Sequence, residues 1–200
     1  MPDFLRSALP LLLVTSLSGC NSMLASMSGP EPVGKPAGTR TLSMRLEDSG
    51  IERTAGINIL KADPQFRDAN VNVISFYGSV LLAGQVQNDA LRQRAEQIVR
   101  DIAEVRQVHN ELTIGEASYY LERMSDGSIT KQVQKHFLLE KGFPSSRTRV
   151  FTVGGTVYLM GKLTTEEADL AVAIISKVSG IKKIVKMLDY LPAPASTTAG

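Results

Sequence analysis

The chain repeats itself, and that constrains its fold more than any other feature. Residues 71–84 (VNVISFYGSVLLAG) match residues 148–161 (TRVFTVGGTVYLMG), with Gly78/Gly155, Val80/Val157, Leu82/Leu159 and Gly84/Gly161 all 77 positions apart. The next segment matches at a spacing of 76, through Ala95/Ala171, Ile98/Ile174, Val99/Ile175, Ile102/Val178, Val105/Ile181, Val108/Ile184 and Leu112/Leu188. One deleted residue in the loop before a helix accounts for the slip. Upstream, Ile51 and Ile129 align 78 apart. So many shared apolar and glycine positions define two homologous modules, residues 48–115 and 126–191, joined by a linker at 116–125. A module of about 65 residues has a small core, so the two are expected to dock on each other.

Each copy carries the same order of elements. Ser49 with Glu52 three residues on has the form of a capping box. Ile51, Ala55 and Ile59 then recur at helical spacing, as do Ile129, Val133 and Phe137. Two strand-like runs flank Gly78 or Gly155, where a tight hairpin turn needs a residue tolerant of positive φ. Gly84 and Gly161 lie inside the second strand and suggest a bulge or the close approach of a helix. Asn88, or Thr164 with Glu167, caps a second helix. Its apolar stripe is Leu91, Ala95, Ile98, Val99 and Ile102, matched by Ala171, Ile174, Ile175 and Val178. A closing strand follows at Val105–Thr113 or Ile181–Tyr190. The fold class is therefore α+β: two tandem αββαβ modules, each a three-stranded mixed sheet with both helices on one face.

Composition excludes several classes. The 200 residues hold 22 Lys+Arg against 20 Asp+Glu, a net charge of +2, too mild for a nucleic-acid binder acting through bulk charge. One cysteine forms no intramolecular disulfide, and two histidines with one cysteine, far apart in sequence, do not make a zinc module. No metal ligand set is expected. Catalysis finds little support either: His109 falls in a closing strand and His136 on a helix, neither beside a Ser or Cys in a nucleophile motif. Gly154-Gly155 lacks the context of a phosphate-binding loop. The αββαβ order superficially resembles RNA-binding KH modules, but no GXXG clamp joins two helices, so no nucleic acid is expected as partner.

Residues 1–19 read as a signal peptide: Arg6 and the start amine give a positive end, and the apolar run Ala8–Leu17 is about half the ~20 residues that span a bilayer. Leu17-Ser18-Gly19-Cys20 resembles the bacterial lipobox, which implies diacylglycerol and N-acyl groups on Cys20. Such acylation tethers a protein stably to a bilayer. No other cofactor is expected. Asn21, rather than Asp, follows the cysteine, which by the sorting rule of Gram-negative lipoproteins favours the periplasmic face of the outer membrane. Residues 20–47, rich in Ser, Gly, Ala and Pro, read as a flexible tether, and 192–200 (PAPASTTAG) as a disordered tail.

The pattern from Gly78-Ser79-Val80-Leu81-Leu82-Ala83-Gly84-Gln85-Val86 through Ala95, Val105, Val108 and Leu112, repeated from Gly155 to Leu188, resembles the BON domain of bacterial envelope proteins. Two copies behind a lipobox are similar to the dual-BON outer-membrane lipoproteins. The resemblance implies a non-enzymatic protein that supports outer-membrane integrity and cell division. It also implies contact with anionic phospholipid, such as phosphatidylglycerol, through the first helix of the second module. Family members often carry a Trp just before the Ile that opens that helix; here the position is Ser128, leaving Tyr119 or Tyr120 as the interfacial aromatic.

Charge gives a separate argument. Residues 48–115 carry 7 basic and 9 acidic side chains, whereas 128–191 carry 10 basic and 5 acidic. On a helical projection Lys131, Lys135, Leu138 and Lys141 share the face opposite Ile129, Val133 and Phe137. Lysines around an apolar residue suit headgroups and the acyl boundary beneath them. The same pattern also describes the solvated face of any amphipathic helix. The basic cluster Lys177, Lys182, Lys183 and Lys186 fits helix-end charge complementarity and edge-strand protection. Two functional classes follow: a membrane-anchored binder of anionic lipid, or an envelope adaptor whose modules bind protein partners. A periplasmic holdase is a third.

Overall fold

The structure, a computed structural model, describes residues 39–117 and 120–192. The signal peptide, Cys20, most of the expected tether, Tyr119 and the tail from residue 193 lie outside the described residues.

The first module consists of helix α1 (Leu42–Ala62), strands β1 (Asn70–Phe76) and β2 (Ser79–Val86), helix α2 (Asp89–Arg100) and strand β3 (Gln107–Ile114). The second repeats the order with α3 (Tyr120–Leu139), β4 (Thr148–Val153), β5 (Thr156–Leu163), α4 (Thr165–Ile175) and β6 (Lys183–Tyr190). In each sheet the middle strand pairs antiparallel with the first and parallel with the third. Hairpin and crossover helix dictate this mixed topology, and the α+β reading with two three-stranded mixed sheets holds.

The caps on the second helices are as the sequence specifies. Asn88 accepts from the Leu91 N–H at 2.9 Å. Thr164 and Glu167 form a reciprocal capping box, the Glu167 carboxylate accepting from the Thr164 N–H at 2.9 Å. The first helix departs from expectation. It begins not at Ser49 but at Leu42, capped by the Thr41 hydroxyl, which accepts from the Met44 N–H at 3.3 Å. Ser49 lies inside the helix, its hydroxyl donating to the Arg45 carbonyl at 2.9 Å. Residues 42–47, expected in the tether, are thus helical, and so are residues 120–125 of the expected linker. The cause is the same in both modules. The first buried position of each helix is an aspartate, Asp48 or Asp126, and a polar residue on the buried face hides that turn from an apolar template.

Each middle strand is buried on both faces. Val80, Leu82 and Val86 pack under α1 and α2 with Ile51, Ala55, Leu91 and Ala95. Val157, Leu159 and Leu163 do the same under α3 and α4. The intervening residues Leu81 and Ala83, with Ile74 and Phe76, meet Tyr158, Met160 and Met187 of the other sheet in a third cluster. The helix-free faces of the two sheets therefore pack on each other, giving the order helices, sheet, sheet, helices. This explains why β2 and β5 read as continuous apolar runs rather than alternating ones. All three clusters lie within residues 39–192, so this part of the chain carries its own core.

The hairpin glycines perform the expected task. Gly78 and Gly155 have φ of 72° and 78°, and the residues before them, Tyr77 and Gly154, are also left-handed, the signature of a type I′ turn. The inner glycines correct the expectation of a bulge or an approaching helix. Both ladders run through Gly84 and Gly161 without a break. What approaches is backbone: a Cβ on Gly84 would stand 1.7 Å from the Asn70 carbonyl oxygen, and one on Gly161 would stand 3.0 Å from that of Arg147.

Candidate membrane-facing site

Helix α3 buries Asp126, Ile129, Val133 and Phe137 against its own sheet and turns the opposite face to solvent. Along that outward face run Leu121, Met124, Ser128, Lys131, Lys135 and Leu138, spaced three or four apart and so stacked in one stripe. Leu121 is 77% exposed and Leu138 74%; Tyr120, Met124 and Leu139 are also exposed. Twenty residues at 1.5 Å rise make the helix about 30 Å long, and the stripe runs nearly its full length. Its two ends are apolar and its middle is polar. Exposed large apolar groups thus bracket the two lysines on one helix face.

The cations in the middle are free to meet an external anion. Among the described residues, Lys131 and Lys135 have no carboxylate partner. Ser128, at the place of the family aromatic, is exposed and its hydroxyl accepts from the Gln132 amide at 3.3 Å. Lys141 departs from the helical projection. The helix ends at Leu139, so Lys141 sits in the following turn, beside the stripe rather than on it. The structure places the candidate aromatic Tyr120 in the first turn of the helix and adds Leu121 and Met124. Met124 stands four residues before Ser128, and Leu121 three before Met124, a spacing visible in the sequence, but they lay in a segment assigned to the linker.

A buried carboxylate holds each first helix on its hairpin. Asp48 accepts from the Ser75 hydroxyl at 2.6 Å, the Gly78 N–H at 3.0 Å, the Tyr77 N–H at 3.1 Å and the Arg40 guanidinium at 2.5 Å. Burial works to raise its pKa, but these four donors outweigh it and hold the carboxyl below its ordinary value. Asp126 accepts from the Gly154 and Gly155 N–H groups at 2.8 and 2.9 Å. These aspartates orient α1 and α3 and so fix which face each helix turns outward. Their 78-residue spacing, equal to that of Ile51 and Ile129, was the signal for them.

Elsewhere, His109 on β3 is half-buried, and burial depresses its imidazole pKa against the opposing pull of Glu111 and Asp189. Lys183 and Lys186 are exposed on β6, an edge strand paired only with β5. Among the described residues, no group of three or more His, Cys, Asp or Glu side chains could hold a metal ion.

The family comparison agrees with the two-module architecture. The model of the BON domain matches twice, at residues 49–116 and 125–192. The chain is 30% identical over 178 residues to "Outer membrane lipoprotein DolP" of Haemophilus influenzae, covering 88% of this chain and 90% of the relative. It is 26% identical to the "21 kDa hemolysin" of Actinobacillus pleuropneumoniae, covering 78% of this chain and 81% of the relative. Among solved structures, the C-terminal domain of CdsD, a structural protein of the type III secretion system of Chlamydia trachomatis, aligns at a TM-score of 0.30 and 14% identity, over 68% of this chain and 96% of that one. With the family domain matched in both halves and the DolP relative spanned almost end to end, the chain belongs to the BON-domain family as a dual-BON, DolP-like protein.

Proposed function

We propose that this protein is a non-enzymatic outer-membrane lipoprotein, held at the periplasmic face by acyl groups on Cys20. It binds anionic phospholipid such as phosphatidylglycerol through the outward face of α3, and in doing so supports envelope integrity and cell division. The observation that carries this reading is the unpaired Lys131 and Lys135 between exposed apolar ends of one helix. Lysines meet lipid phosphates while Tyr120, Leu121, Met124 and Leu138 enter the acyl boundary. At about 1 kcal/mol per basic residue near an anionic surface, Lys131, Lys135 and the adjacent Lys141 together contribute about 3 kcal/mol. That is a weak attachment alone, but useful to a chain already tethered. The named DolP relative supports the outer-membrane and lipoprotein parts of the proposal.

Flotation of the chain from Asn21 onward with vesicles tests the reading, since that form lacks the acylated cysteine. Binding to phosphatidylglycerol vesicles, weakened by salt and abolished by Lys131→Glu with Lys135→Glu, is the expected result. Indifference to phosphatidylglycerol vesicles would assign the modules to protein partners, with the acyl groups serving only as an anchor.

A further inference from the structure

A groove of about 380 Å³ opens on the second module beside the C-terminal half of α3, and Arg45 of α1 reaches it from the first module. Arg45 of α1 lines one side, and Gln134 and Leu138 of α3, Arg149 of β4, Ser145 and Ser146 are among the second-module residues that line the rest. No acidic residue lines it. The Arg149 guanidinium is held by Glu52 and by the Ser75 carbonyl. The Arg45 guanidinium, among the described residues, has no hydrogen-bond acceptor and no ion-pair partner. Arg149 is thus neutralised by Glu52, whereas Arg45, with amide and hydroxyl groups beside it and no carboxylate on the groove wall, presents an anion site whose counter-charge the protein does not supply.

The rim shows which anion fits. Leu138 is 74% exposed where the groove opens from the α3 stripe. On α1, Leu42 and Leu46 flank Arg45 in sequence and are 72% and 65% exposed. A free phosphate would make no use of this apolar edge, whereas a phospholipid is anionic at its headgroup and apolar beyond it. Leu138 belongs both to the groove and to the α3 face, so the two surfaces are continuous.

We propose that this groove seats the phosphodiester of an anionic phospholipid on Arg45, with its acyl chains along Leu42, Leu46 and Leu138. Lipid recognition is then a composite of both modules, and docking of the sheets is a condition for it. The inference rests on the lipid-binding reading of α3 and extends it to a residue of the first module.

The test uses the chain from Asn21 onward, which contains every cluster of the core. Flotation with phosphatidylglycerol vesicles is compared for the parent, Arg45→Glu, Arg45→Lys, and the Lys131→Glu, Lys135→Glu double variant. Because the Arg45 side chain bonds to no other residue, its variants should melt with the parent. The expected result is a loss of about tenfold or more for Arg45→Glu, as one attractive charge becomes repulsive, and a smaller loss for Arg45→Lys. Parent-like binding by Arg45→Glu, with binding lost in the double lysine variant, overturns the groove and leaves the α3 reading standing. A parent chain that ignores these vesicles overturns both. If millimolar glycerophosphoglycerol displaces the chain from vesicles, the groove takes a soluble phosphodiester and the lipid assignment falls.

Discussion

Arg149 of the second module and Glu52 of the first, 97 residues apart in sequence, form an ion pair at 2.5 Å. The same guanidinium donates to the Ser75 carbonyl at 2.7 Å, and the Ser75 N–H donates to Glu52 at 2.7 Å. Three groups from α1, β1 and β4 thus close a ring across the seam between the sheets. Arg149→Ala should cost about 2 kcal/mol in urea unfolding, because it strands a carboxylate and a partly buried carbonyl together. The sharper check is a double-mutant cycle with Glu52→Gln, where a coupling of about 1 kcal/mol or more is expected. Additive losses would show that the pair does not link the modules.

Asp48 and Asp126 are equivalent in the repeat but do unequal work. Asp48 satisfies four donors, one of them a guanidinium, while two backbone N–H groups are seen on Asp126. Asp48→Asn should therefore destabilise by about 3 kcal/mol and Asp126→Asn by about half of that. Acid titration gives a second readout. The folded-state pKa of Asp48 lies below its unfolded value, so its contribution is fully present above about pH 4 and is lost as pH falls through the depressed value. In Asp48→Asn the stability curve below pH 4 should be flatter than in the parent. Equal slopes would show that another carboxylate dominates acid unfolding.

Much of this fold is written in residues whose neighbours are local. The hairpin turn at Gly78 needs two left-handed residues, the Thr164 cap needs Glu167 three positions on, and the apolar stripes need only helical spacing. The true start of each first helix was hidden, because Asp48 and Asp126 are buried through hydrogen bonds to a hairpin about 30 residues away. Glu52 mimicked half of a capping box while its carboxylate serves Ser75 and Arg149. The sheet-to-sheet seam could be anticipated from the small size of each module, and its chemistry sits in the continuous run Val80–Ala83. Its partners, Tyr158 and Met160, are on the far module, where no periodicity reaches. On α3, Lys131, Lys135 and Leu138 were legible and Tyr120 was already a candidate aromatic, whereas Leu121 and Met124 were missed, since a linker assignment began the helix too late.

Gly84 and Gly161 align in the repeat, yet their tolerance should differ. Gly84 has φ of 134°, which disfavours any side chain, and a Cβ there would overlap the Asn70 carbonyl. Gly161 is not left-handed, and its nearest obstacle is 3.0 Å away. Gly84→Ala is expected to cost more than about 3 kcal/mol or to prevent folding, while Gly161→Ala should cost about 1 kcal/mol. Thermal melts of the two variants decide it. Similar losses would mean that β1 yields at Asn70 as easily as the Arg147 segment yields in the second copy.

Ser128 sits in the middle of the outward stripe of α3, between Met124 and Lys131 and exposed to solvent. Ser128→Trp should therefore cost little in stability, since surface changes on a helix usually stay within about 0.5 kcal/mol. At a bilayer the indole would lie between the apolar ends of the stripe, with its N–H at headgroup depth, a position that tryptophan favours. Affinity of the chain from Asn21 onward for phosphatidylglycerol vesicles should rise about tenfold, and because the chain has no native tryptophan the new emission reports its own environment. A blue shift on anionic vesicles that salt reverses would place Ser128 at the interface, with the lysines supplying the attraction. Unchanged emission with unchanged affinity would mean that this face of α3 points away from the bilayer, and the lysines with it.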